Sequence, residues 1–384
     1  MTFLIMSPIR HGVDGLMDVI RQITPSDAAA AKRILIINVT RIGDTLLATP
    51  ALRAIARYFP NAGITCLGHP KRVEVIQHLP YLRKVGSITK RHALFRGWLD
   101  VLRGPEYDWA FVWGDDPALI RYALRKAQHV VAARQADAKL NSLLFCAAEL
   151  PPRPSIHAVA WSLSLPRAVG IVADDYRLDY HITQEESAAA IACITAAKII
   201  PGTHAPIIGM QVASFPTKSY RDWPIGHFIE LTNRISTRWP DARFVLYGAI
   251  DDKLRTMQLA AQAAGKAVSF AGQLTLRETV AVMQQTELYI GVDTGPTHLF
   301  SALQKPMVAL YHPSLPSALF KPLQHSHLYA IDHPLAGPGA DQTIPIGDIS
   351  VDAVFAAVSD ALAHRPSSYP GLPSPGVDAN AQVY

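Results

Sequence analysis

Residues 34–60 read ILIINVTRIGDTLLATPALRAIARYFP, and this stretch decides the fold class. Ile34 to Val39 is an apolar run of the kind found in parallel strands buried on both faces. Arg41-Ile42-Gly43-Asp44 forms a turn. A helix follows, with Thr49 as a capping candidate, Pro50 at a first helical position, and Leu52, Ile55 and Phe59 on one face. Strand, turn and helix repeat through Gly63–Leu67 and Trp109–Trp113, each ahead of a helical stretch, which is the alternation of a doubly wound sheet.

The pattern loosens between Asp174 and Glu186 and then starts again at Ile207–Val212. Further strands are expected at Phe244–Gly248, Val268–Phe270, Leu288–Val292 and Met307–Tyr311, with helices between them. Thr275-Leu276-Arg277-Glu278 is a capping box that fixes the start of one such helix. At 384 residues the chain exceeds one comfortable core, and roughly 150 residues per domain suggests two α/β halves joined near residue 180.

Hydrophobic residues at 49% and charged residues at 17% supply enough apolar surface for large buried sheets and exclude a disordered chain. A formal charge of +5 and a pI near 9.0 suit an acidic small molecule, a phosphorylated glycolipid or a membrane surface as readily as nucleic acid. Cys66, Cys146 and Cys193 stand far apart in apolar contexts, which reads as buried thiols of a cytosolic protein. No apolar run reaches the ~18 residues of a membrane span. The first residues lack the charged-then-apolar order of a signal peptide, so no leader is expected. Leu16, Val19, Ile20 and Ile23 share a helical face that either packs on the domain or touches a membrane. The Pro- and Ser-rich tail after Arg365 is expected to be disordered.

In an open α/β sheet, ligands gather at the carboxyl ends of the strands. Two turns stand out there. Asp44 tops the first strand of the first half, either as an ordinary N-cap or as a working carboxylate. Gly291 to Leu303, GVDTGPTHLFSAL, passes from a buried strand into a helix through Asp293, Thr294, Gly295 and Pro296, with His298 in the first turn. Unpaired N–H groups, the positive dipole end and a glycine make this a ready anion site, and the alternative is a capped helix with a structural histidine. Neither G-x-G-x-x-G nor G-x-x-x-x-G-K-[ST] occurs, so any nucleotide is held in another way. A third turn carries Lys218 and Arg221 ahead of Trp223-Pro224, positive charge suited to a departing diphosphate or simply a solvated loop. Asp251 and Asp252 are candidates for a ribose contact or a helix cap.

Ile34–Pro60 together with Gly291–Pro313, GVDTGPTHLFSALQKPMVALYHP, resembles the ADP-heptose:lipopolysaccharide heptosyltransferases, glycosyltransferase family 9. The similarity runs in order over roughly residues 32 to 364. It implies a GT-B architecture, two Rossmann-like doubly wound α/β domains facing across a cleft. On that pattern, 1–31 is an N-terminal extension, 32–182 binds acceptor, 183–348 binds nucleotide sugar, 349–365 is a helix returning to the first domain, and 366–384 is the tail.

The resemblance implies an inverting, metal-independent transfer of heptose or a related sugar from an ADP-sugar to a lipopolysaccharide-core or lipid A-type acceptor. Asp44 matches the catalytic base, because a sugar hydroxyl needs a positioned carboxylate to accept its proton. Asp293, Thr294, Gly295, Pro296 and His298 match the donor-diphosphate turn. Lys218 or Arg221 matches a phosphate ligand, and Gln273, Leu274 and Thr275 fall where the nucleoside pocket is lined. Arg41, Lys71, Arg72, Arg91 and Arg134 are the acceptor candidates, for carboxylates or phosphates. The sequence carries no clear Asp-x-Asp motif and no His/Cys cluster of ligand spacing, so neither metal nor cofactor is expected. Expected partners are ADP-heptose, the glycolipid acceptor and a peripheral contact with the cytoplasmic face of the inner membrane, not nucleic acid. A nucleotide-sugar epimerase and a non-catalytic nucleotide-binding module of the same fold are the competing readings.

Overall fold

A computed structural model of the protein describes residues 21–95, 104–202 and 205–364. Twelve strands are found among them, six in each half. In the first half these are β1 (Arg33–Asn38), β2 (Gly63–Gly68), β3 (Lys84–Ser87), β4 (Tyr107–Trp113), β5 (Ala127–Ala133) and β6 (Cys146–Ala148). In the second they are β7 (Ile207–Gln211), β8 (Arg243–Tyr247), β9 (Ala267–Ser269), β10 (Leu288–Val292), β11 (Met307–Tyr311) and β12 (Leu328–Asp332).

The strand orders are β3-β2-β1-β4-β5-β6 and β12-β11-β10-β7-β8-β9, and every described pairing is parallel. Both halves therefore have the same winding. The chain reverses direction across the sheet between β1 and β4 in the first half, and between β7 and β10 in the second. A doubly wound sheet opens its ligand crevice at the carboxyl ends of those strands.

The unbroken apolar runs follow from helices on both faces. Leu35 and Ile37 of β1 enter one core, while Ile34 and Ile36 enter the core on the opposite face. In β10, Leu288, Ile290 and Val292 point one way and Tyr289 the other. Alternation is lost in such strands because neither face meets water. The strands that the periodicity missed, β3, β5, β6 and β12, include the four-residue, half-exposed β3 and the three-residue β6, at or near sheet edges.

Two expectations about the chain ends need correction. Residues 21–31, assigned to an extension, are stitched into the first half. Ile23 N–H donates to the Val169 carbonyl (3.1 Å), Tyr58 donates to the Ile23 carbonyl (2.6 Å), and Ala28 of the capped helix Pro25–Ala30 is buried. Of the proposed apolar face, Ile23 packs in this core; Leu16, Val19 and Ile20 lie outside the described residues, as does the tail 366–384. The final helix, Val351–Ala363, does not return to the first half. Val351, Val354, Val358, Ala361 and Leu362 pack into the core of the second sheet, against the helix Ile225–Arg238 and strands β11 and β12. The Trp223 indole donating to the Ile349 carbonyl (2.8 Å) fixes its approach.

Candidate active site between the two sheets

The turn after β1 and the turn after β10 meet. An ideal Cβ built on Gly43 would lie 3.1 Å from Cδ2 of His298, and one on Gly295 would lie 3.4 Å from Cγ2 of Ile42. A glycine at 43 thus admits the histidine ring against the backbone of the first half.

Asp44 is not an N-cap. The cap position of the helix Ile42–Leu47 is Arg41, whose side chain makes no capping bond, and Asp44 is the third residue of the first turn. Its carboxylate pairs instead with Arg153, Nη1 to Oδ1 at 3.0 Å, and its side chain stays 28% exposed. Arg153 comes from the loop after β6 and lies 3.5 Å from the centre of the Trp161 ring. Sequence reasoning found neither residue: Arg153 sits in a Pro-rich loop, and only the winding of the sheet carries that loop to the first turn.

On the opposite side, Asp293 and His298 are buried, with Oδ1 3.4 Å from Nε2. That contact is not an aligned hydrogen bond. Asp293 Oδ1 and His298 Nδ1 are both buried without a hydrogen-bond partner among the described residues. Burial holds the His298 imidazole below its usual range, against the pull of the Asp293 and Asp44 charges. Burial pushes the Asp293 carboxyl up, against the pull of His298 and Arg221. Neither Asp293 nor Thr294 caps the helix Gly295–Ser301 with its side chain; the Thr294 hydroxyl turns back to the Val292 carbonyl (3.2 Å). Pro296 sits in the first turn, where its missing N–H costs nothing.

The basic loop resolves into two unlike cations. Arg221 reaches the β10 turn, with Nη1 3.3 Å from the Asp293 carbonyl oxygen and 3.8 Å from its carboxylate. Lys218 lies over the Tyr220 ring, 5.7 Å from its centre. The loop is braced by Asp222, whose Oδ1 accepts from the Ser214 N–H and hydroxyl at 2.7 Å each.

Thr275 caps the helix Leu276–Gln284 in the expected box: its hydroxyl accepts from Glu278 N–H (3.3 Å) and its N–H donates to the Glu278 carboxylate (2.7 Å). Gln273 is exposed and donates to the Ser269 carbonyl (2.8 Å), while Leu274 packs at the rim of the second core. Asp252 accepts from the Ala249 N–H (2.8 Å), a local cap rather than a free carboxylate.

The acceptor candidates share one edge. Arg41 follows β1, Lys71 and Arg72 follow β2, Arg91 follows β3 and Arg134 follows β5, all at carboxyl ends. Arg72 is drawn to the first turn by donating to the Thr40 carbonyl (3.1 Å). Arg134 pairs with Glu149 to one side of it, and Arg91 is exposed on the other.

Further contacts hold the two halves together. Arg277 pairs with Glu186, donates to the Glu74 carbonyl of the first half (2.9 Å) and to that of His181 (2.7 Å), and lies 5.0 Å from the Tyr180 ring centre. His157 of the first half bonds the Lys321 carbonyl of the second (2.9 Å). A separate concavity, lined by Lys198, Ile199, Ile200, Ala205, Ile207, Asp241 and Arg243, opens at the amino ends of β7 and β8, away from these turns. Among the described residues, no group of three or more His, Cys, Asp or Glu side chains is placed to hold a metal ion. No helix among them is long and apolar enough to cross a membrane.

Residues 101–334 match the family model of glycosyltransferase family 9 (heptosyltransferase). No curated protein sequence matches the chain. Among solved structures, the fold is similar to a family 9 glycosyl transferase from Veillonella parvula, with TM-score 0.74 and 19% identity over 88% of this chain and 98% of that one. It is also similar to E. coli ADP-heptose LPS heptosyltransferase II, with TM-score 0.70 and 20% identity over 86% and 98%. E. coli heptosyltransferase WaaC with ADP gives TM-score 0.60 and 17% identity over 85% and 97%.

Proposed function

This chain belongs to glycosyltransferase family 9, and from that premise we propose that it moves heptose, or a related sugar, from an ADP-sugar to a lipopolysaccharide-core acceptor. The observation that carries the reading is the meeting of an accessible carboxylate, Asp44, with a buried, polar strand-to-helix turn from the other half.

Asp44 accepts the proton of the acceptor hydroxyl as that oxygen attacks the anomeric carbon. A single in-line displacement inverts the configuration. The diphosphate departs toward the turn of Asp293 to His298, where the open helix start and Arg221 stabilise the growing negative charge. Arg221, which reaches the turn, is the phosphate ligand of choice over Lys218. Gln273, Leu274 and Thr275 line the nucleoside end, largely through backbone. The metal-independent form of the reaction rests on this division of charge between Arg221 and the helix start.

Arg41, Lys71 and Arg72, on one edge beside Asp44, recognise anionic groups of the glycolipid, with Arg91 and Arg134 flanking them. That basic edge and the net charge of +5 suit work at the cytoplasmic face of the inner membrane.

The test is transfer itself. Purified protein with ADP-heptose and Kdo-bearing lipid A is expected to release ADP and add one heptose, followed by mass spectrometry. Turnover of the nucleotide sugar to an isomer without acceptor would establish an epimerase instead. Tight ADP binding with neither reaction, across a panel of donors, would establish a binding module.

A further inference from the structure

We propose that Arg153, held over the Trp161 indole, is a positioning residue for the Asp44 carboxylate; the inference rests on the reading of Asp44 as the base. Asp44 sits in the first turn of a helix and makes no capping bond there. Its one polar partner among the described residues is Arg153, at 3.0 Å. The guanidinium is fixed in turn: it lies 3.5 Å from the centre of the Trp161 ring, and the indole N–H donates to the Pro151 carbonyl (2.9 Å) in the same loop. Trp161 belongs to the helix Ala158–Arg167, which packs on the helix Ile42–Leu47 that carries Asp44.

The arrangement is a poor stability device. Asp44 is 28% and Arg153 45% exposed, and ion pairs so open to water contribute about 0–1 kcal/mol. It is a good orienting device. A planar guanidinium stacked on an indole has a fixed plane as well as a charge, which a lysine lacks. Holding Oδ1 stops rotation of the carboxylate and leaves Oδ2 for the acceptor hydroxyl. Misplacement of a reacting group by about 1 Å can cost on the order of a hundredfold in rate.

Steady-state kinetics on the full chain, with ADP-heptose and Kdo-bearing lipid A, decide the matter. Arg153→Ala is expected to lower kcat about 10- to 100-fold, with both KM values within about threefold. Added guanidinium ion restores part of the rate and an equal concentration of sodium chloride does not. Trp161→Leu, which leaves every charge in place, lowers kcat by a smaller factor, and Arg153→Lys is intermediate. In an Asp44→Asn background, Arg153→Ala has no further effect, because the two side chains act as one unit. Wild-type kcat in Arg153→Ala overturns the inference, as does a rise confined to acceptor KM, which would make Arg153 an acceptor ligand. Should Arg153→Ala fold poorly, Trp161→Leu with unchanged kcat overturns it equally. Asp44→Asn transferring at the normal rate would instead sink the base assignment, whatever Arg153 does.

Discussion

At the turn after β1, Asp44 keeps 28% of its side chain exposed and lends one oxygen to an arginine. At the turn after β10, Asp293 keeps 7%, faces a histidine with 6%, and has a carboxyl pushed up by burial. Both acids leave the carboxyl end of a strand at a point where the sheet reverses its winding, so topology alone does not distinguish them. Solvent does. A group that must take a proton from a substrate hydroxyl needs access and an open lone pair, and Asp44 has both. A group sealed under a helix start shapes the turn and sets its charge.

The largest expected effect breaks this contrast or makes it sharp. Asp44→Asn lowers transfer by about 10²- to 10⁴-fold while ADP still binds with near-normal affinity by calorimetry. Asp293→Asn loses less in kcat and more in donor affinity. Equal losses in kcat would remove the distinction between the turns.

Opposition of the two turns depends on the halves being held together, and Arg277 bridges them through the Glu74 carbonyl while pairing with Glu186 in its own half. Its side chain is 11% exposed and that of Glu186 22%. The Arg277 guanidinium in turn holds the Glu186 carboxyl down at about 2. Breaking a largely buried pair from one side costs roughly 3 kcal/mol, so Arg277→Ala is expected to lower the urea midpoint clearly. An unchanged midpoint would mean that the contact with Glu74 is dispensable.

A smaller effect separates the two cations of the basic loop. Arg221→Ala raises the KM for ADP-heptose about tenfold, equivalent to roughly 1.4 kcal/mol, and Lys218→Ala changes it less than about threefold. The reverse order would move the phosphate site away from the Asp293 turn.

The smallest is a pH effect of about 1 kcal/mol in stability between pH 7.5 and 5.5. Burial holds His298, His157 and His312 below their usual range and His325 at about 4. Below pH ~6.5 the unfolded chain takes up these protons and the native one does not, so stability falls on acidification. Asp293 works the other way, since its native form takes a proton first. His325→Gln removes one share, so the slope that remains reports on His157, His298, His312 and Asp293 together. Urea titrations that show no slope in the wild type would contradict the burial of these rings. Asp175 and Glu186, held at about 2, act only at lower pH.

Much of this was legible in the residues. Ile34–Asn38 and Leu288–Val292 announced parallel strands because helices on both faces remove the need for polar alternation. Thr275 and Glu278 announced a helix start because the capping box is local. Less legible were β3 and β6, which are short and stand at the sheet edges. Not legible was the uncapped start of the helix Gly295–Ser301, where the Thr294 hydroxyl turns to the Val292 carbonyl. The return of the last helix failed because its apolar stripe fits the second sheet, and a stripe does not state its partner.

The sequence by itself determined two α/β halves, the strand-to-helix turns that bear Asp44 and Asp293, and a family pattern spanning both. Those features are set by periodicity and by residues near one another in the chain. Only the tertiary structure decided which acid meets water, that Arg221 and not Lys218 touches the turn, and that Arg153 on Trp161 grips Asp44 from 109 residues away. Burial and long-range pairing depend on how separate segments pack, and no local pattern in a chain encodes the distance between them.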